Sequence, residues 1–206
     1  DLMASAENIT VRIVSGSNTQ DITVSTFWTG SRNYIAGSTT MTIYGDIEGF
    51  NCSGNFTKVT SIDPSHNTQL KYLDCSSNPL SSLDVSNNTR LEGLSCYHNQ
   101  LSSLDVSNNT RLGLLNCYHN QLSSLDVSNN TQLEFLDCSS NPLTSLDISH
   151  NTKLTNLYCY DNNFTTATLD DIYCALPDRT GNTNGEIHPI FNSSSPNHAT
   201  VLATNA

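Results

Sequence analysis

The chain has 206 residues, 36% of them apolar, enough for one domain with a buried core, and no apolar run approaches the length that spans a bilayer. Its net charge of −11 removes the counterion-release term that drives nucleic-acid binding and sets the chain against anionic lipid, so neither nucleic acid nor direct membrane insertion is expected. Charged residues make up only 13%, while Ser, Asn and Thr crowd the sequence, a composition that suits strands and hydrogen-bonded turns better than ion-paired helices.

The start, DLMASAENIT, carries no signal peptide or lipidation motif and no initiator Met, as a processed or trimmed end would; at the other end the chain stops at VLATNA, where a little more cap is expected, as in one module of a longer protein. Residues 1–45 contain two β-prone runs, ITVRIV and DITVSTFW. Their Val11, Ile13, Phe27 and Trp28 are expected to plug the first coil of the segment that follows, which makes 1–45 an N-terminal β cap.

From residue 46 to 165 the sequence repeats. Cys75, Cys96, Cys117, Cys138 and Cys159 recur every 21 residues, Cys52 stands 23 before Cys75, and CYHNQLSSLDVSNNT is written identically from Cys96 and from Cys117. That is a solenoid period, with the frame L-x-x-L-x-C-x-x-N-x-L-x-S-L-D-V-S-x-N-T-x. Two alternating apolar stretches per copy, Leu73 with Cys75 and Leu83 with Val85, each predict a half-buried short strand. One copy cannot bury both; stacked copies can, with like residues about 4.8 Å apart across a parallel sheet. The cysteines then face inward as small apolar fillers and unpaired thiols, since side chains on parallel neighbours point alike and a straight file gives no tetrahedral cage for zinc.

Asn55, Asn78, Asn99, Asn120, Asn141 and Asn162 stand where each coil must turn, and are expected to satisfy the turn backbone and one another. A second file, Asn67, Asn88, Asn109, Asn130 and Asn151, each followed by Thr, is expected to do similar work at the opposite turn. Asp63, Asp84, Asp105, Asp126 and Asp147 form a file of like charge that repels by about 0.8 kcal/mol per neighbouring pair even in water. N–H and hydroxyl groups of the following turn are the expected compensation. The glycine-rich calcium-repeat pattern is absent. Residues 166–206 are a C-terminal cap containing a helix, with Leu169, Ile172, Tyr173 and Leu176 at helical spacing before Pro177 and Cys174 off that stripe.

The frame, with LDVSNNT and LxCxxN recurring from Ile47 to Asn162, resembles the short-period leucine-rich repeats of bacterial surface proteins, the internalin J-like and Bacteroidales cysteine-ladder family. FWTGSRNYIAGSTTMTIYGDI and LDDIYCALPDRTGNTNGEI are similar to the segments that lead into and close those repeats. The resemblance implies a leucine-rich repeat solenoid, in the α/β class by convention though mostly strand and turn. It further implies a non-enzymatic recognition or adhesion module, exported to the bacterial surface or outside the cell.

Because the stack fixes inward and turn positions, outward strand positions are where a site fits. The candidate ligand-binding face comprises Tyr72, Asp74, Tyr97, His98, Leu114, Asn116, Tyr118, His119, Phe135, Asp137, Asn156, Tyr158 and Tyr160. Tyrosine gives large contact area at low entropy cost, so a protein ligand is expected there, with glycan binding, or a spacer that binds nothing, as the alternatives. No GxSxG, HExxH, P-loop or nucleotide fingerprint occurs, and His98, His119 and Asp161 are too loose a set for chemistry. No catalytic residue, metal or cofactor is expected.

Overall fold

The computed structural model describes residues 2–4, 9–26, 42–54, 59–176 and 186–188. At the N-terminal end β1 (Leu2–Ala4) is followed by β2 (Ile9–Ser15), β3 (Asn18–Val24), β4 (Thr42–Tyr44) and β5 (Ile47–Asn51). β2 and β3 form a hairpin that turns at Gly16, whose φ of 60° is a left-handed conformation glycine takes without a Cβ clash. β4 pairs with the other side of β2, giving a three-stranded antiparallel sheet. β1 lies antiparallel to β5, and the Ala4 N–H donates to the Ser25 carbonyl at 2.8 Å, tying the small sheet to the large one. Leu2, Ala4, Ile13, Ile22 and Val24 are buried in the same apolar cluster as the repeats, as a cap over the first coil requires. The side chain of Val11, together with Phe27, Trp28 and Asn55, lies outside the described residues.

The large sheet continues from β5 through β6 (Tyr72–Asp74), β7 (Gly93–Ser95), β8 (Leu114–Asn116), β9 (Phe135–Asp137), β10 (Asn156–Tyr158) and β11 (Glu186–His188). From β5 onward every neighbour is parallel, and Leu73, Leu94, Leu115, Leu136 and Leu157 stand in register. The result is a leucine-rich-repeat solenoid. A single coil buries Leu112, Leu115, Cys117, Leu122, Leu125 and Val127, each leucine contributing about 1.5–3 kcal/mol. α1 (Thr166–Ala175) closes the C-terminal end of the stack; the Thr165 side chain caps it by accepting from the Thr168 N–H, and Leu169 and Ile172 are its buried face.

Both asparagine files serve the turn backbone, but their side chains do not bond one another as expected: their partners are backbone groups, and the Oδ1 of Asn88, Asn109, Asn130 and Asn151 is buried without one among the described residues. Asn99, Asn120, Asn141 and Asn162 each donate from Nδ2 to the cysteine carbonyl of their own coil and of the preceding one, and accept on Oδ1 from a leucine N–H of the preceding coil. Asn88, Asn109, Asn130 and Asn151 are fully buried and bridge carbonyls of the preceding coil at the opposite turn. The aspartate file faces outward, and each Oδ1 accepts the N–H of the serine two residues on. The hydroxyl of that serine and then its N–H, in the reverse order at Asp147, hold all five carboxyls below the ordinary aspartate range, so the file is compensated as anticipated.

One expectation fails. The second apolar stretch of each copy, Leu83 with Val85 and its counterparts, is buried but is not a strand. The aspartate turn is the reason: the Ser86 N–H goes to the carboxylate of Asp84 instead of to a neighbouring coil. The Asn88 N–H goes to Val85 of its own turn. A local side-chain acceptor has replaced the ladder, which is the competition that makes Asp and Ser poor strand residues.

Cys75, Cys96, Cys117, Cys138 and Cys159 are buried free thiols, Cys52 is half-buried and Cys174 is exposed. Desolvation pushes Cys52 up to about 12 and holds the fully buried thiols well above their usual range, so none of them is a nucleophile at neutral pH. Titrating native protein with an aromatic disulfide reagent is expected to consume about one equivalent quickly, at Cys174, and all seven after denaturation. Four or more fast equivalents in the native state would contradict the inward ladder.

Candidate functional site

Three-residue strands leave their first and third residues pointing out, so the sheet face is two columns, extended by the two residues that follow each inward cysteine. In the first column Tyr72, Gly93, Leu114, Phe135 and Asn156 stand side by side; in the second, Asp74, Ser95, Asn116, Asp137 and Tyr158. Tyr72 and Leu114 are each 40% exposed, large for apolar side chains on a rigid sheet. Tyr72 lies across Gly93, where an added Cβ would stand 3.0 Å from its ring, and its hydroxyl donates to Glu92 at 3.0 Å.

The predicted residues fall into two aromatic groups. In the first, Tyr97 and Tyr118 stack at 4.9 Å and 12°, and His98 meets the Tyr118 ring edge-on at 4.8 Å. His98 and His119 have centroids 4.3 Å apart, and both line an open groove of about 540 Å³ with Gln100 and Gln121. Burial, with the neighbouring His119, holds His98 below the usual imidazole range. In the second group, Phe135 and Tyr158 meet at 5.6 Å and 40°, with Asp137 in the same strand as Phe135 and in register with Tyr158. Tyr160 is half-buried one coil beyond the gap at Ser139, and Asn156 bonds Thr155. The Asn116 Oδ1 accepts from the Tyr118 N–H at 3.5 Å, a long and weak bond.

Two features of this face escape the reading of the frame. Ser77, His98, His119, Ser140 and Asp161 all adopt a left-handed φ between 50° and 54°, where a Cβ costs about 1–2 kcal/mol. Gly54, φ 75°, occupies the same column in the first coil, and that glycine was the available signal. The second feature is a pairing of columns. Asp74 and Asp137 each accept the N–H and hydroxyl of the serine two residues on, and Ser76 and Ser139 are fully buried as a result. Asn51 and Ser53 repeat the arrangement. Where the second column carries Asp, the next outward residue is a buried serine; after Ser95, Asn116 and Tyr158 it is a half-buried tyrosine ring, and after Asn51 it is Ser53. Asp74 is thus committed to the scaffold, since its Oδ2 also takes the Asn51 amide at 3.2 Å.

Among the described residues no group of three or more His, Cys, Asp or Glu side chains is placed to hold a metal ion, and no helix is long and apolar enough to cross a membrane.

No protein-family model and no curated protein matches the chain. Among solved structures it is similar to the functional domain of internalin J from Listeria monocytogenes, whose description includes a cysteine ladder, at 43% identity and a TM-score of 0.56. That similarity covers 57% of this chain and 26% of the other. An internalin of the same organism, internalin F, is 21% identical with a TM-score of 0.59 over 68% of this chain and 47% of its own, and shares the fold. The chain therefore spans about a quarter of the first structure and about half of the second.

Proposed function

Taking the chain as an internalin-like leucine-rich-repeat protein, we propose that it is a non-enzymatic protein-recognition module of an exported bacterial surface or secreted protein. In this reading residues 46–165 are the working part and 1–45 and 166–206 seal its ends. The observation that carries it is the exposure of Tyr72 and Leu114 at 40%, continuous with Phe135, Tyr158, Tyr118 and Tyr97, on a sheet whose backbone is locked by its buried asparagines. Such a face offers large side chains at small ordering cost, because the strands beneath them do not rearrange on binding. The glycan alternative is weaker for a geometric reason: Tyr97 and Tyr118 give faces to each other, and those faces are what a sugar ring would stack on.

The double substitution Tyr118→Ser with Tyr158→Ser is expected to weaken a protein ligand by a factor of about 30 or more, as loss of two aromatic anchors does, while the melting temperature moves by only a few degrees. Binding by surface plasmon resonance and melting by circular dichroism would be measured on the same samples. A collapse in stability would make the rings packing residues and end the assignment. Parallel screens against glycans and against surface proteins separate the two ligand classes.

A further inference from the structure

β6 and β9 place carboxylates at equivalent outward positions, Asp74 and Asp137, but the two differ in what they have left to give. Both oxygens of Asp74 are bonded. Asp137 uses only Oδ1, which accepts the N–H and hydroxyl of Ser139, and its Oδ2 has no partner among the described residues. Its flanks in the sheet are Asn116 on one side and Tyr158 on the other. Phe135, two residues earlier on the same face, meets the Tyr158 ring at 5.6 Å. Beyond it, buried Ser139 interrupts the ring column between Tyr118 and Tyr160. Burial first, then the neighbouring Tyr97 and Asp137, raise the Tyr118 phenol, and burial pushes the Asp137 carboxyl above the ordinary aspartate range, with no cation beside it among the described residues. A half-buried carboxylate with one oxygen idle among the described residues, set among aromatic rings, suits a counter-charge that can also lie against those rings. A guanidinium does both, by its planar fork and by its affinity for aromatic faces; an ammonium does so less well.

We propose that Asp137, with Phe135, Tyr158, Tyr118 and Tyr160 around it, is the anchor point for an arginine side chain of a basic protein partner. The inference rests on the protein-recognition reading and supplies its specificity. The net charge of −11 and the outward aspartate file, which steer a basic surface toward the chain, favour the same class of partner.

The test uses the full chain and peptides selected on it from a random twelve-residue display library. The strongest peptides are measured by calorimetry against the wild type, Asp137→Asn, Asp74→Asn and the Tyr118→Ser, Tyr158→Ser pair. Enriched peptides should carry an arginine whose replacement by Gln weakens binding about tenfold or more. Asp137→Asn should match that loss, Asp74→Asn should change affinity less than about twofold, and the wild-type affinity should fall with added salt. Peptides lost with the tyrosine pair but bound equally by Asp137→Asn would overturn the arginine anchor and leave protein recognition standing. Peptides indifferent to all the variants, or none enriched, would overturn both. Asp137→Asn keeps size and shape, and its melting curve confirms that a binding loss is not a folding loss.

Discussion

Asn120→Ala is expected to lower the unfolding free energy by about 3–5 kcal/mol, a large part of the roughly 5–15 kcal/mol a domain of this kind possesses. The sum follows from counting partners. Asn120 donates to the carbonyls of Cys96, Cys117 and Tyr118 and accepts from the Leu101 N–H. The carbonyls are doubly served: Cys96 also receives Asn99, Cys117 receives Asn141 and Tyr118 receives the His98 N–H. They lose one bond each and are not orphaned. The Leu101 N–H has no second acceptor among the described residues and sits in a fully buried residue, so it bears the desolvation penalty of about 1–3 kcal/mol, to which the amide's two N–H groups, shared among three carbonyls, add about 2 kcal/mol. Asn130→Ala, in the opposite file, should cost about half as much. It gives up bonds to Val106 and Asn109, both of which keep a backbone donor, and its own Oδ1 is already buried without a partner. Exposed Asn108→Ala should fall within about 0.5 kcal/mol. Urea unfolding of the three proteins would check the ranking, and equal losses at 120 and 108 would remove the asparagine file from the account of stability.

That ranking was partly written in the sequence. An invariant residue type every 21 positions must meet its own copies, and the short Asn amide carries both a donor and an acceptor to bridge coils, so the parallel register, the inward cysteines and both turn files follow from periodicity. The second arm was misread because Leu83 and Val85 alternate as a strand does, and alternation reports which side is buried, not where the backbone N–H groups go. Asp84 two residues before Ser86 was the sign of a local turn. The face itself was less legible. Periodicity marks outward positions, but whether Asp74 and Asp137 are free to meet a ligand depends on side-chain bonds. One oxygen's difference between them, set by Asn51 at the end of the stack, has no trace in the frame. Nor does the left-handed column, where His98 and His119 adopt a conformation that only Gly54 hinted at.

Deleting residues 97–117, one full period, is expected to leave a folded, cooperatively melting protein, whereas deleting 97–118 is expected to abolish the cooperative transition. The first deletion joins Cys96 directly to Tyr118, and because the segment after Cys96 is copied after Cys117, every inward leucine, cysteine and valine and every turn asparagine from there on meets a neighbour of the type it met before. Leu94 would stand against Leu136 as Leu115 does now, and Asn120 would reach the Cys75 carbonyl that Asn99 now takes. What is lost is one coil and one coil-to-coil interface, a nearest-neighbour term in a stack of this kind. Removing one residue more keeps nearly the same composition but leaves a coil one residue short. The cysteine then precedes His119 directly, so Asn120 no longer falls three residues after it, the left-handed position is occupied by the wrong residue, and Leu122 moves off its ladder. A misplaced asparagine and a misplaced leucine each cost about 2–5 kcal/mol, and together they take up most of the roughly 5–15 kcal/mol available to a domain. Circular dichroism melts of the two deletions decide it. If both unfold alike, the stack is held by general apolar burial, and if both fold alike the turn asparagines do not read register at all.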